Sequence, residues 1–350
     1  MSSKDTAIQE AQKRIRSNRS DSPDIKTWAQ NVTNDKRESL ARAITLIESE
    51  KMSDRTQAQA LLDEISLNNS IPKNSVRIGV TGIPGVGKST FIERLGLDLI
   101  NEGHRVAVLA VDPSSKRTGG SILGDKTRMD ALANHASAFV RPSPASDALG
   151  GVARATMEAV ILCEAAGYDR IIVETVGVGQ SETSVREMVD IFTLLLIGGA
   201  GDEVQGIKRG IVEMADLVVV NKADGENVAA CEDTASSYRS ALHLFPMPKG
   251  GIPVTVFTAS STEGNGHEEV RKQFCELTMK WQDSGFWEEH REAQRVTRMQ
   301  EHTKQLLLEN QMSSNTATDV WNDLESKVKS GKLTAFSAAW TWVKGNSEDR

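Results

Sequence analysis

The 350-residue sequence predicts an α/β fold, a mainly parallel, doubly wound sheet covered by helices on both faces. Short apolar, β-rich runs alternate with amphipathic stretches, which is typical of right-handed βαβ crossovers. The runs are residues 76–81, 106–111, 171–174, 191–197, 217–220 and 254–258. Ligands bind such sheets at the carboxyl ends of the strands, so we expect the motifs that follow these runs to meet at one edge.

Helical segments flank the α/β region, so we predict three domains. Residues 1–70 form an N-terminal helical extension, polar to about residue 35 and then apolar at helical spacing, until turn formers and a proline at 68–72 end it. Residues 71–275 form the α/β domain. Residues 276–350 form a C-terminal helical arm.

Apolar stripes at the start of the arm and along it predict a docking surface. The stripes are Val270, Phe274, Leu277 and Trp281; Val320, Leu324 and Val328; and Leu333, Phe336, Trp340 and Val343. Aromatic side chains of this density favour docking either on the main domain or on a second subunit, and the sequence leaves both open.

Charge and cysteine content narrow the classes of protein. The 41 basic and 48 acidic residues give a net charge of −7, whereas proteins that neutralise phosphate backbones usually carry a basic face. The three cysteines form no CxxC pair, which favours a reducing compartment. No apolar run approaches the ~20 residues of a membrane helix. We therefore expect no nucleic-acid partner, no membrane segment and a cytoplasmic location, or the mitochondrial matrix if the N-terminus is a leader.

A phosphate-binding loop follows the first predicted strand. Its residues are Gly82, Ile83, Pro84, Gly85, Val86, Gly87, Lys88 and Ser89, followed by Thr90, and they match GxxxxGK[ST]. Glycines let successive backbone N–H groups face one anion, and the dipole of the helix expected from Lys88 reinforces this. Lys88 would reach the β- and γ-phosphates, and Ser89 would bind Mg²⁺. A chance match arises in roughly one chain in a hundred, so the pattern predicts a P-loop.

A second motif, Asn221, Lys222, Ala223 and Asp224, matches NKxD, which selects guanine in P-loop GTPases. The Asp224 carboxylate accepts from guanine N1–H and the exocyclic amine, and two such bonds predict a roughly 10²- to 10⁴-fold preference for GTP over ATP. The alternative is an Asx turn that closes a strand. Thr258, Ala259 and Ser260 are expected to cover the base, with the Ala259 N–H directed at guanine O6.

Three carboxylates are candidates to hold Mg²⁺ with Ser89. Glu174 ends a predicted strand in a DxxG-like element, Asp112 follows the second strand, and Asp125 lies in a glycine-rich segment. The sequence does not indicate which of these three carboxylates bind the ion. Lys126 and Arg128 would offset charge on the γ-phosphate, or are solvated charges at a helix start.

A further glycine-rich loop spans residues 198–208 and ends at Lys208. It either moves when the phosphate count changes or is an ordinary turn with Asp202 as a helix N-cap. On the first interpretation, Lys208 joins Lys88, Glu174 and the other charged candidates as a catalytic or switch residue.

Together these motifs resemble one known family. The matching segments are residues 82–90, 111–115, 118–129, 141–144, 173–182, 199–208 and 221–224, within residues 38–260. The sequence is similar to the MeaB/ArgK family of P-loop GTPases, chaperones of adenosylcobalamin-dependent methylmalonyl-CoA mutase and related acyl-CoA mutases. Two departures, Asp147-Ala148 and Gly198-Gly199, would alter loop stiffness and coupling to a partner.

The resemblance implies a GTP- and GDP-binding, Mg²⁺-dependent enzyme with slow intrinsic hydrolysis. It implies a homodimer formed through the C-terminal arm, and nucleotide-gated transfer of cofactor into an adenosylcobalamin-dependent mutase that is also protected from inactivation. It further implies that residues 198–208 are a third switch that senses the mutase.

Three other functions are compatible with a P-loop but fit the rest of the sequence less well. A kinase acting on a small substrate or a transport component needs an acceptor pocket, for which no motif is present. A nickel-insertion GTPase favours clustered cysteine and histidine, whereas the histidines are scattered and expected at the surface or as caps. They are His104, His135, His243, His267, His290 and His302. A signal-recognition-type GTPase would carry a basic or methionine-rich extension, which this acidic chain lacks.

Overall fold

The computed structural model describes residues 24–49, 51–67, 74–111, 129–142, 149–175, 181–199, 209–312 and 315–345. The chain divides into two compact units, Met1–Glu288 and Glu289–Arg350. The three-domain division stays a prediction. No helix in the described ranges is long and apolar enough to cross a membrane.

Seven parallel strands in the described part of the first unit form one sheet. They are β1 Val76–Gly82, β2 Val106–Val111, β3 Ala138–Arg141, β4 Arg170–Thr175, β5 Ile191–Ile197, β6 Leu217–Asn221 and β7 Thr255–Thr258, in the order β3-β2-β4-β1-β5-β6-β7. The predicted mainly parallel α/β class is confirmed. The four-residue β3 was not predicted, because so short a run carries no clear alternation.

Helices cover both faces of the sheet. They are α1 Ile25–Thr33, α2 Arg37–Ile47, α3 Met52–Leu67, α4 Lys88–Asn101, α5 Asp130–Ala133, α6 Leu149–Ala165, α7 Ser181–Arg186, α8 Arg209–Met214, α9 Val228–Leu242 and α10 His267–Ser284. A short 3₁₀ turn, Gly225–Asn227, precedes α9. The remaining helices are α11 Phe286–Met312, α12 Asn315–Lys329 and α13 Ala335–Gly345.

The sheet separates two apolar layers. Ala107 and Leu109 of β2 face a layer built from α1, α2, α3 and α6, whereas Val106 and Val108 face the layer of α4 and α10. Side chains that alternate between faces along a strand explain this division. The N-terminal helices therefore share a core with the sheet that they precede.

Helix α1 lies within the predicted polar segment that precedes residue 35. Trp28, Ala29 and Val32 are buried on one face of it, and the Asp24 carboxylate accepts a hydrogen bond from the Thr27 N–H as its N-cap. One apolar face on a nine-residue helix is enough to dock it, although most of its other side chains are polar.

The apolar stripes of the C-terminal region differ in how far they are buried. The first stripe, from Val270 to Trp281, is buried in the α4 and α10 layer, as expected of a core. Within the second unit, Leu324 is buried with Ala338 and Trp342 between α12 and α13. Phe336, Trp340 and Val343 of the third stripe are instead 77%, 56% and 49% exposed.

Candidate nucleotide-binding site

Sheet register brings the sequence motifs to one edge. Val80 of β1 pairs with Glu174 of β4, and Gly82 at the end of β1 pairs with Leu195 of β5. Asn221 ends β6 opposite Ile197. Because all strands run in parallel, the P-loop, the Glu174 element and the NKxD motif follow from the same carboxyl edge.

The P-loop joins β1 to α4, as predicted. Gly82 has φ +153°, and a Cβ there would lie 2.6 Å from Leu195 O, so this position requires glycine. Val86 is fully buried and anchors the loop from below. The Lys88 Nζ donates to Gly82 O at 2.8 Å and Ile83 O at 3.2 Å, which keeps its charge against the loop.

Ser89 and Glu174 lie together beside the loop. The Ser89 hydroxyl donates to Glu174 Oε1 at 3.3 Å, and Glu174 is only 5% exposed. One hydroxyl and one carboxylate are oxygen ligands that suit Mg²⁺, which keeps most of its waters, so the residues fit this ion. Beneath them, Thr175 donates its hydroxyl to Thr81 Oγ1 at 2.8 Å.

Several predicted site residues cannot be compared with the structure. Asp112, Asp125, Lys126, Arg128 and Lys208 lie outside the described residues. Within the described part, no group of three or more His, Cys, Asp or Glu side chains is placed to hold a metal. Ser89 and Glu174 are therefore the two metal candidates whose geometry is known.

Asn221 connects the P-loop to the base motif. Its side-chain amide donates to Val86 O at 2.9 Å, and its Oδ1 accepts from the Ser261 hydroxyl at 2.8 Å. Gly87 permits this contact, because a Cβ at Gly87 would lie 2.8 Å from the Asn221 Nδ2. The NKxD asparagine thus ties two loops together, and it is 1% exposed.

The Asp224 carboxylate is held by hydroxyl groups. Ser260 donates to Asp224 Oδ2 at 2.6 Å and Thr262 donates to the same oxygen at 3.0 Å. Lys222 adopts φ +63°, a left-handed conformation that turns the chain sharply just before Asp224. The Ala223 N–H donates to Ala259 O at 3.0 Å, which joins the two segments that form the base site.

The structure corrects the predicted role of the Ala259 N–H. The Ala259 N–H donates to Val220 O at 2.9 Å and is not available to guanine O6, and Thr258 donates its hydroxyl to Glu232 on α9. Two residues further on, the Ser261 N–H has no acceptor among the described residues, and Thr262 contacts Asp224. The run of three hydroxyl residues at 260–262 was the signal that could have placed the loop correctly.

His267 departs from the expectation of a surface or capping histidine. It is fully buried at the start of α10, its ring centroid lies 4.9 Å from that of Phe91 in α4, and neither ring nitrogen has a partner in the described residues. Burial lowers the pKa of His267 to about 4. The ring is therefore neutral at pH 7 and acts as part of the core beneath the site.

Comparisons with known proteins show which family the chain resembles. The family model described as "Methylmalonyl Co-A mutase-associated GTPase MeaB" matches residues 40–317. "GTPase ArgK" of Escherichia coli strain K12 is 47% identical over 272 residues, covering 78% of this chain and 81% of the relative. "Methylmalonic aciduria type A homolog, mitochondrial" of Mus musculus is 44% identical over 307 residues, covering 86% and 74%.

A solved structure also matches most of the chain. The structure described as "LAO/AO transport system kinase" aligns with a TM-score of 0.70 at 35% identity, covering 91% of this chain and 96% of that one. The alignment therefore includes nearly the whole of both chains.

Proposed function

The chain belongs to the MeaB family and is a GTPase, and from this premise we propose that it gates cofactor loading and protection of an adenosylcobalamin-dependent acyl-CoA mutase of the methylmalonyl-CoA mutase type. The observation that carries the proposal is the match of residues 40–317 to a family whose description ties a GTPase to this mutase. The mouse relative, named for methylmalonic aciduria, supports the same association.

Three side chains act at the phosphates of the bound nucleotide. Lys88 leaves the carbonyls of Gly82 and Ile83 to contact the β- and γ-phosphates, where its charge offsets the charge that develops during transfer. Ser89 and Glu174 hold Mg²⁺, Glu174 directly or through water. When bound, the ion would neutralise the phosphate oxygens.

At the base end, Asp224 selects guanine and Ser260 holds its carboxylate in place. The Ser261 N–H, which has no acceptor in the described part of the chain, is the donor for guanine O6. Since Asn221 bonds to both loops, correct seating of the base also fixes the loop that binds the phosphates.

Transmission to the mutase runs through α9 in this proposal. The helix begins after the 3₁₀ turn that follows the base motif, and the Thr234 hydroxyl on it accepts from the Gly199 N–H at 3.3 Å, where the glycine-rich loop begins. Asp112, Asp125, Arg128 and Lys208 remain proposed catalytic and switch residues. The location proposed is the cytoplasm, with the mitochondrial matrix as the alternative that the mouse relative suggests.

A homodimer formed through the second unit is part of the proposal. Phe336 and Trp340 are stacked with ring centroids 6.1 Å apart and are mostly exposed on α13. An exposed pair of large aromatic rings is costly in water and typical of a protein interface.

The test combines binding and hydrolysis. The full chain is mixed with cobalamin-free methylmalonyl-CoA mutase and a non-hydrolysable GTP analogue, and the complex is measured by size-exclusion chromatography; phosphate release from GTP is then measured with and without mutase. We expect a complex and faster hydrolysis, with Lys88→Ala as the control for contaminating activity. Absence of both a complex and stimulation contradicts the chaperone role.

A kinase is the second candidate, favoured by the name of the solved structure that aligns at 35% identity. The same assay separates it, because a kinase transfers the labelled γ-phosphate to an organic acceptor, whereas a GTPase releases it to water. Labelled product other than inorganic phosphate would favour the kinase.

A further inference from the structure

The two oxygens of the Asp224 carboxylate have unequal surroundings. Oδ2 accepts from two hydroxyl groups, those of Ser260 and Thr262, whereas Oδ1 has no donor among the described residues. A carboxylate oxygen has two lone pairs to offer. Oδ2 is therefore filled and Oδ1 is open.

The two hydroxyl donors differ in how firmly they are held. Ser260 is fully buried, its bond to Asp224 is the shorter at 2.6 Å, and its oxygen accepts from the Glu263 N–H at 3.1 Å. Thr262 is exposed, and its contacts are the 3.0 Å bond to Asp224 and a 3.1 Å contact with Ser260 Oγ. Thr262 is the donor that can be displaced.

Guanine needs both oxygens of this carboxylate. It presents two parallel donors, N1–H and the exocyclic amine, and a bidentate pair places one on each carboxylate oxygen. Hypoxanthine lacks the amine and needs one oxygen only. Guanine must therefore displace a donor from Oδ2, whereas hypoxanthine binds at Oδ1 alone.

We propose that the Thr262 hydroxyl is a built-in competitor for the second donor of guanine. It occupies Asp224 Oδ2 when no base is bound, so that the carboxylate stays paired, and it leaves when guanine arrives. The competition lowers guanine affinity and speeds GDP release without affecting hypoxanthine. This inference rests on the proposed base-binding role of Asp224.

The test compares Thr262→Val, which removes the hydroxyl but keeps the shape, with Thr262→Ser, which keeps the hydroxyl. Calorimetry with GDP and IDP gives both affinities, and stopped-flow measurement gives GDP release. For Thr262→Val we expect GDP to bind about threefold to tenfold more tightly and to leave more slowly, since one net hydrogen bond is at stake. IDP affinity should change less than twofold, and Thr262→Ser should restore the wild-type ratio.

Ser260→Ala should change GDP affinity in the opposite direction from Thr262→Val. It removes the firmly held donor and should weaken GDP binding, because Asp224 loses its orientation. The inference is overturned if Thr262→Val weakens GDP binding, leaves it unchanged, or strengthens GDP and IDP equally. A wild-type protein that binds no GDP at all would instead overturn the base site itself.

Discussion

The two edges of the sheet both carry charged side chains, but the hydrogen bonding of those side chains differs. At the amino edge, Glu164 accepts from Arg77 through both carboxylate oxygens at 2.8 Å and from Ser75 at 2.7 Å, and it is fully buried. At the carboxyl edge, Asp224 keeps an oxygen without a donor in the described chain, and Lys88 rests on carbonyls that a phosphate can replace. The saturated pair at the amino edge stabilises the fold, whereas the open oxygen of Asp224 is available to a ligand.

Lys88→Ala tests the carboxyl edge most severely. Loss of the charge that faces the β- and γ-phosphates should reduce GTP hydrolysis about 10³-fold or more, with little change in the free energy of unfolding. Phosphate release under saturating GTP is the measurement. Lys272→Ala, which removes an exposed lysine on α10, is the matched control and should keep its activity. Normal turnover in the Lys88 variant would contradict the assignment.

Arg77→Met tests the amino edge. Glu164 would be left buried without its partner, and we expect the free energy of unfolding to fall by about 3–5 kcal/mol. Urea denaturation measures it. The double variant Arg77→Met/Glu164→Leu removes both charges and should recover most of the loss. If single and double variants are equally unstable, the ion pair is not the cause.

Asp224→Asn tests base selection. The amide offers a donor where the guanine amine needs an acceptor, so the preference for GTP over xanthosine triphosphate should fall about 10²-fold or more. Competition binding with both nucleotides measures the ratio. Asp233→Asn, an exposed position on α9, should leave it as in the wild type. An unchanged ratio in the Asp224 variant would remove its role.

The smallest effect concerns pH. Burial lowers the pKa of His267 to about 4, so the unfolded chain binds its proton first and His267 removes stability as pH falls from 6.5 to 4. Burial, partly offset by Arg186, raises the pKa of Asp216 to about 6, so Asp216 removes stability as pH rises from 4 to 6. The two residues therefore make opposite contributions to the dependence of stability on pH, and they lie near opposite edges of the sheet.

Single variants should show the contribution of each residue to the pH dependence of stability. Relative to wild type, His267→Leu should gain stability as the pH is lowered, by about 1–3 kcal/mol. Asp216→Asn should gain it as the pH is raised from 4 to 6. Urea unfolding at pH 4.5, 5.5 and 7 measures both differences. Parallel pH curves for His267→Leu and wild type would contradict the buried neutral histidine.

Local chemistry explains what the sequence predicted well. The P-loop and NKxD motif fix residue types because phosphate and guanine require them, and each motif follows a short β-rich run. Ala259 was misassigned because the partner of its N–H, Val220 O, is set by pairing between separate segments. His267 was missed because a histidine carries no periodic signal of burial.

The C-terminal stripes illustrate a second limit. Spacing indicates which side chains share a face of a helix, and it did so for Phe274 and Trp281 as for Phe336 and Trp340. It does not indicate what covers that face. The first pair is buried in the core and the second is exposed, although both patterns look alike in the sequence.

One carboxamide, that of Asn221, bonds to the backbone of the P-loop and to the side chain of Ser261. These bonds link the P-loop to the loop that contains Ser261. Binding of the base and binding of the phosphates are therefore coupled. Guanosine and pyrophosphate supplied as separate fragments would strengthen each other's binding. A nucleotide with the wrong purine would also make weaker contacts between its phosphates and the P-loop.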